Sequence, residues 1–121
     1  TAIQCGQEKT LRDLYMISDR ARGPEGYVLA YDNAYEIGKA IADNGDNIYL
    51  RAKAAGITAA KIVKRGYDGK EIQLTNKQLE VLENIIKDLE ALPDDEDKFF
   101  EYCDKKYSEL VPLYNKKNYG L

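Results

Sequence analysis

Two cysteines, Cys5 and Cys103, carry the most reactive side chains in this sequence, and no histidine accompanies them. A thiol becomes a nucleophile or a metal ligand only when a base, a positive neighbour or further ligands favour the thiolate. With 97 residues between the two, neither a C-x-x-C redox pair nor a zinc knuckle is available. The use left to them is a structural disulfide joining Cys5 to Cys103. For a loop of that length it is worth about 4 to 5 kcal/mol in the chain-entropy account. The competing reading is a pair of buried thiols in a reducing compartment.

The other reactive groups fall short of a site. Ser18 and Ser108 are the only serines, and neither lies in a G-x-S-x-G elbow or an S-x-x-K arrangement. Asp32 and Glu36 sit one helical turn apart, which points both to water rather than setting them across a scissile bond. Met16 alone cannot hold a haem, and the absence of histidine removes the di-iron Glu-x-x-His pairs. Asp43-Asn44-Gly45-Asp46-Asn47 and Tyr67-Asp68-Gly69 lack the ligand spacing of a calcium loop and read as turns and caps. No glycine-rich phosphate loop occurs. The expectation is therefore a protein that is not an enzyme, with no catalytic, cofactor or metal residues.

The elements that would position these residues are helices. Apolar residues recur at spacings of three and four almost throughout. A first helix is expected over 7–21, ended by Gly23-Pro24-Glu25-Gly26. A second, 27–43, carries Tyr27, Val28, Tyr31, Ala34, Tyr35, Gly38, Ile41 and Ala42 on one face, read as core, with Asn44-Gly45 as its stop. A third, 47–65, capped by Asp46 or Asn47, turns Ile48, Ala52, Ala55, Gly56, Ala59 and Val63 inward. Arg65-Gly66 ends it, a turn at 67–70 follows, and Glu71 to Leu74 are extended.

Thr75 and Gln78 form a capping box for a fourth helix with a buried stripe of Leu79, Leu82, Ile85, Ile86 and Leu89. Pro93 closes it. Asp94 caps a fifth helix bearing Phe99, Phe100, Cys103, Tyr107 and Leu110, which Pro112 ends or kinks. The tail with Lys116, Lys117 and Tyr119 is a loose turn or frayed helix. The fold class is all-α: a compact bundle of four to five antiparallel helices, one domain over 1–121, with one disulfide joining the first and last helices.

Composition narrows the roles. The 121 residues are 44% hydrophobic and 32% charged with a net charge of −3, ordinary for a folded domain. No apolar run is long enough to span a bilayer, which argues against a membrane role, and the acidic balance argues against nucleic acid. Residues 76–104 hold 10 acidic and 3 basic groups. The disulfide, together with a start at Thr1 that resembles a trimmed secretory leader, points to a secreted or periplasmic protein. In general profile the chain is similar to small periplasmic immunity and inhibitor proteins that block cell-wall-degrading toxins, although no motif carries the similarity.

The expected function is thus an exported protein-binding module, an inhibitor or immunity protein. Its acidic element would occlude a basic cell-wall hydrolase or toxin. Tyr67, Asp68, Asp94, Asp95, Glu96 and Asp97 are the candidate partner-binding residues. The alternatives are a periplasmic structural, stress or chaperone-like protein, or a carrier of a small apolar ligand. A homodimer through a helix face is compatible with a bundle of this size.

Overall fold

The computed structural model describes residues 21–114. Residues 7–20 of the helix expected over 7–21, Cys5, the tail beyond 114 and the side chains of Tyr107 and Leu110 lie outside the described residues. Among those described, five segments are helical and none is a strand: α1 (21–32), α2 (Ala34–Ala42), α3 (Ile48–Asp68), α4 (Asn76–Ala91) and α5 (Glu96–Tyr114). The all-α reading of the sequence holds.

The local chemistry explains most boundaries. Gly23 has a φ of 64°, in the left-handed region, yet residues 21–32 are helical throughout, so the stop expected at Gly23-Pro24-Glu25-Gly26 is not a break. Pro24 is tolerated there because its fixed φ suits the helix. The single helix expected over 27–43 is divided at Asn33. There the side-chain amide donates to Leu29 O at 2.9 Å and the backbone N–H reaches Ala30 O at 3.2 Å, an i to i−3 bond. This is the competition with helical bonding that makes Asn a poor interior residue.

Asn47 caps α3 by accepting from the Tyr49 and Leu50 N–H groups at 3.0 and 3.1 Å. The helix runs past Arg65-Gly66 to Asp68, with Gly69 as its cap. Gly66 is a packing glycine rather than a stop: it is buried, and a Cβ there would strike the Leu29 side chain. The capping box of α4 forms as expected, with the Thr75 hydroxyl accepting from Gln78 N and the Gln78 side chain accepting from Thr75 N, each at 3.0 Å. Asp95, not Asp94, caps α5, through Lys98 N to Oδ1 at 3.1 Å, and the helix continues through Pro112.

The central element is α3. Gly26 brings α1 close enough that a Cβ would lie 3.1 Å from Val63. α2 and α4 both pack along α3, with Arg65 pairing to Glu36 at 3.1 Å and Lys61 to Glu90 at 2.9 Å. α5 joins through aromatic edges, the Tyr49 ring standing 5.8 Å from Phe99 and 5.3 Å from Phe100. The core comprises Ala21, Ala30, Ala59, Ala60, Ile62, Val63, Leu82, Ile85, Leu89, Phe99 and Cys103. Each fully buried Leu or Ile supplies about 1.5 to 3 kcal/mol of driving force.

Three expectations change. The Cys5–Cys103 disulfide is not supported: no bridge is found among the described residues, and the Cys103 side chain is fully buried as part of the apolar core. On α4 the buried polar residue Gln78 takes the place expected for Leu79, because its amide is tied into the cap beneath Gly23. The tyrosine face of the second helix points outward. Tyr27, Val28, Tyr31 and Tyr35 are 53, 56, 72 and 86% exposed, and α2 buries no residue completely.

Candidate functional site

The N-termini of α3 and α5 converge on an open cleft of about 410 Å³ lined by Asn47, Tyr49, Lys53, Pro93, Asp94, Asp95 and Glu96 among others. Its polar groups are already engaged with each other. The Tyr49 hydroxyl donates to Glu96 Oε1 at 2.9 Å. The Lys53 ammonium, with its side chain only 15% exposed, donates to Leu92 O at 2.6 Å and to Asp94 Oδ1 at 3.1 Å. Leu92 closes α4, so Lys53 satisfies a carbonyl at a helix end that has no intrahelical donor. Asp95 is the α5 cap, and Glu96 and Asp97 occupy the first turn, where negative charge is favoured by the helix dipole.

The acidic element expected to meet a partner therefore has a structural role, tying the starts of two helices to the end of a third. Tyr67 and Asp68 lie elsewhere. They end α3, some 18 residues beyond Tyr49, or about 27 Å along the helix axis. Asp68 Oδ1 and Oδ2 accept from Lys64 at 2.7 and 2.8 Å, and that bond holds the Lys64 ammonium above its ordinary pKa. The six candidate binding residues thus fall into two separated groups rather than one surface.

A second polar cluster joins α4 to α5. The Tyr102 hydroxyl donates to Asp88 Oδ2 at 3.4 Å, and Lys106 Nζ lies 3.5 Å from the same carboxylate and 3.3 Å from Glu109. Burial, reinforced by the Asp88 charge, raises the Tyr102 pKa far above that of an ordinary tyrosine. Its phenol stays protonated at neutral pH and acts as a donor, not as a base.

Among the described residues no three His, Cys, Asp or Glu side chains converge to hold a metal. A longer groove of about 750 Å³ between α3 and α4, lined by Lys61, Lys64, Glu83, Ile86, Lys87, Glu90 and Ala91, is open along the surface. Both this groove and the 410 Å³ cleft are open clefts at the surface rather than enclosed cavities. No helix among the described residues is long and apolar enough to cross a membrane.

The tyrosine face of Tyr27, Tyr31 and Tyr35 stays exposed. Comparison with known proteins places the chain. The family model for the methanol-cobalamin methyltransferase B subunit, MtaB, matches residues 1–120. The chain belongs to this family. It is 48% identical over 120 residues to a methanol–corrinoid protein co-methyltransferase of Methanosarcina barkeri, a match covering 99% of this chain and 26% of that protein. It is also similar to a chain in the crystal structure of the methanol:cobalamin methyltransferase complex MtaBC from the same organism, with 47% identity and a TM-score of 0.55 over 100% of this chain and 26% of the other. The chain thus spans about a quarter of the length of these relatives.

These findings overturn the functional reading of the sequence. The family is one of methyl-transfer enzymes, so neither the exported inhibitor or immunity protein, nor the chaperone-like and ligand-carrier alternatives, nor the expectation that the protein is not an enzyme stands. The cell-wall hydrolase or toxin likewise does not stand as partner, since the structural relative belongs to a methanol:cobalamin methyltransferase complex. The reason is physical. A missing histidine or nucleophile excludes catalysis only for a whole enzyme, and here the relatives are nearly four times as long. The similarity runs along the whole chain, and no short motif of the sequence carried a signal of the family.

Proposed function

We propose that the polypeptide to which these residues belong catalyses transfer of the methyl group of methanol to the cobalamin of a corrinoid protein. In this reading the 121 residues form one helical domain, with α2, α3 and α4 running antiparallel, that frames the enzyme. The observation that carries the proposal is the family match along residues 1–120, with 48% identity to a methanol–corrinoid protein co-methyltransferase. Methanol is a poor methyl donor because hydroxide is a poor leaving group, so the reaction requires an activating centre. Among the described residues no cluster of His, Cys, Asp or Glu is placed to hold such a centre. The described residues supply the scaffold: a core around α3 and three helix ends locked by Lys53, Asp94 and Asp95.

The test is methylation of a reduced corrinoid protein by the complete polypeptide, followed by the change in the corrinoid visible spectrum on adding methanol. Methanol-dependent methylation is expected. If the corrinoid is methylated by another donor but not by methanol, the substrate assignment fails.

A further inference from the structure

We propose that the face formed by Tyr27, Val28, Tyr31, Ala34, Tyr35 and Gly38 is an internal interface, against which a helix from the remaining three quarters of the complete polypeptide packs. Three observations converge on it. The first is the exposure of the aromatic residues: Tyr31 and Tyr35 are 72 and 86% exposed, although they lie on the most regular apolar stripe of the sequence. Contiguous apolar faces of this kind mark interaction surfaces on folded proteins.

The second is Gly38. It lies inside α2, where glycine is costly relative to alanine, yet nothing lies within 4 Å of the position its Cβ would occupy. The packing glycines Gly26 and Gly66 behave differently, since in each the missing Cβ makes room for a neighbouring side chain. Gly38 makes room for something beyond these residues. Ala34, Gly38 and Ala42 follow at intervals of four, a small-residue seam that admits the close approach of a helix.

The third is length. The relatives match this chain over 99 to 100% of its residues but only 26% of their own, so most of a family polypeptide is available to cover the face. The seam itself carries no charge: Glu36 is drawn aside to Arg65. Although the Arg22 guanidinium lies over the Tyr27 ring at 5.5 Å, a face made mainly of aromatic and small residues suits a permanent contact, whereas surfaces that must release a partner are more polar. A segment of the same chain also meets it at a high effective concentration. The inference depends on the complete polypeptide having the length of its relatives, not on its reaction.

The experiment compares the complete polypeptide with its Gly38→Arg and Gly38→Ala variants, free of corrinoid protein, by thermal midpoint, oligomeric state and affinity for the corrinoid protein. On an exposed helix both substitutions raise the midpoint or leave it unchanged. Against a packed helix, Gly38→Arg lowers it by at least a few degrees, with no change in oligomeric state. A midpoint that does not fall, with weakened corrinoid-protein binding, would reassign the face to that partner. A midpoint that falls only as a dimer dissociates would reassign it to a second copy. Should Gly38→Arg fail to fold, tyrosine nitration of the native monomer decides. Tyr31 and Tyr35 unmodified uphold the internal interface, and their ready nitration overturns it. Methyl transfer enters none of these readouts, so loss of the functional proposal would leave this result standing.

Discussion

The inner seam of α3 and the tyrosine face of α1 and α2 read alike in the sequence, as small and apolar residues recurring at three and four, yet one is buried and the other faces out. On α3, Gly56, Ala59, Ala60, Val63 and Gly66 are covered by neighbouring helices. On α1 and α2, Tyr27, Tyr31 and Tyr35 have no such cover among the described residues. Periodicity reports that a face wants covering; it does not say by what. For a chain that is a quarter of its relatives' length, the covering element can lie outside the sequence.

The largest effect that separates the two faces is in the core. Leu82→Ala should lower the unfolding free energy of the 121-residue chain by about 2 to 5 kcal/mol, because Leu82 is 1% exposed and its removal leaves a cavity. Tyr31→Ala in the same chain should change it by no more than about 0.5 kcal/mol, as for other exposed positions. Urea denaturation of both variants checks the pair. Comparable losses would mean that Tyr31 is already packed in the isolated chain, and the contrast between the faces would collapse.

Glycines sharpen the comparison through sign rather than size. Gly23→Ala should cost about 1 to 2 kcal/mol, since φ is 64° and the new methyl would press on the Gln78 amide that completes the α4 cap. Gly38→Ala in the 121-residue chain should instead stabilise by up to about 1 kcal/mol, the propensity difference at an open helical site. Thermal or urea unfolding of the two variants reads both signs. A destabilising Gly38→Ala in this short chain would show that the α2 seam is occupied by the chain's own residues, contrary to the internal-interface proposal.

The helices are far more legible in the sequence than the purposes they serve. Thr75 with Gln78 and Asn47 before Ile48 mark helix starts because capping depends on a few adjacent atoms. Asn33 and Gly66 mislead because each residue type has two uses. Asn33 diverts backbone bonding where a continuous stripe suggests one helix, and Gly66 serves packing against Leu29 where its type suggests a stop. The acidic run at 94–97 reads as a ligand for a basic partner. Its charges meet Lys53, Tyr49 and the α5 N-terminus instead, contacts that for Lys53 and Tyr49 span 41 and 47 residues of sequence and that no local pattern displays. The activity of the family is not legible, because no metal-binding cluster occurs among the described residues and the chain spans about a quarter of its relatives.

The smallest expected effect concerns the polar cluster that joins α5 to α4. Tyr102 keeps its proton in the folded state above the ordinary tyrosine range, mainly because it is buried and secondarily because Asp88 is negative. Its folded pKa lies above the unfolded value of about 10, so its contribution is fully present below about pH 10 and is lost as pH rises beyond it. Wild-type protein should therefore lose stability between about pH 9 and 11 more steeply than Tyr102→Phe, which has no phenol to ionise on unfolding. At neutral pH the two should differ little, since the 3.4 Å bond to Asp88 is long. Urea midpoints measured across that alkaline range test the difference. Parallel decline of both proteins would show that Tyr102 ionises as freely in the folded chain as in the unfolded one.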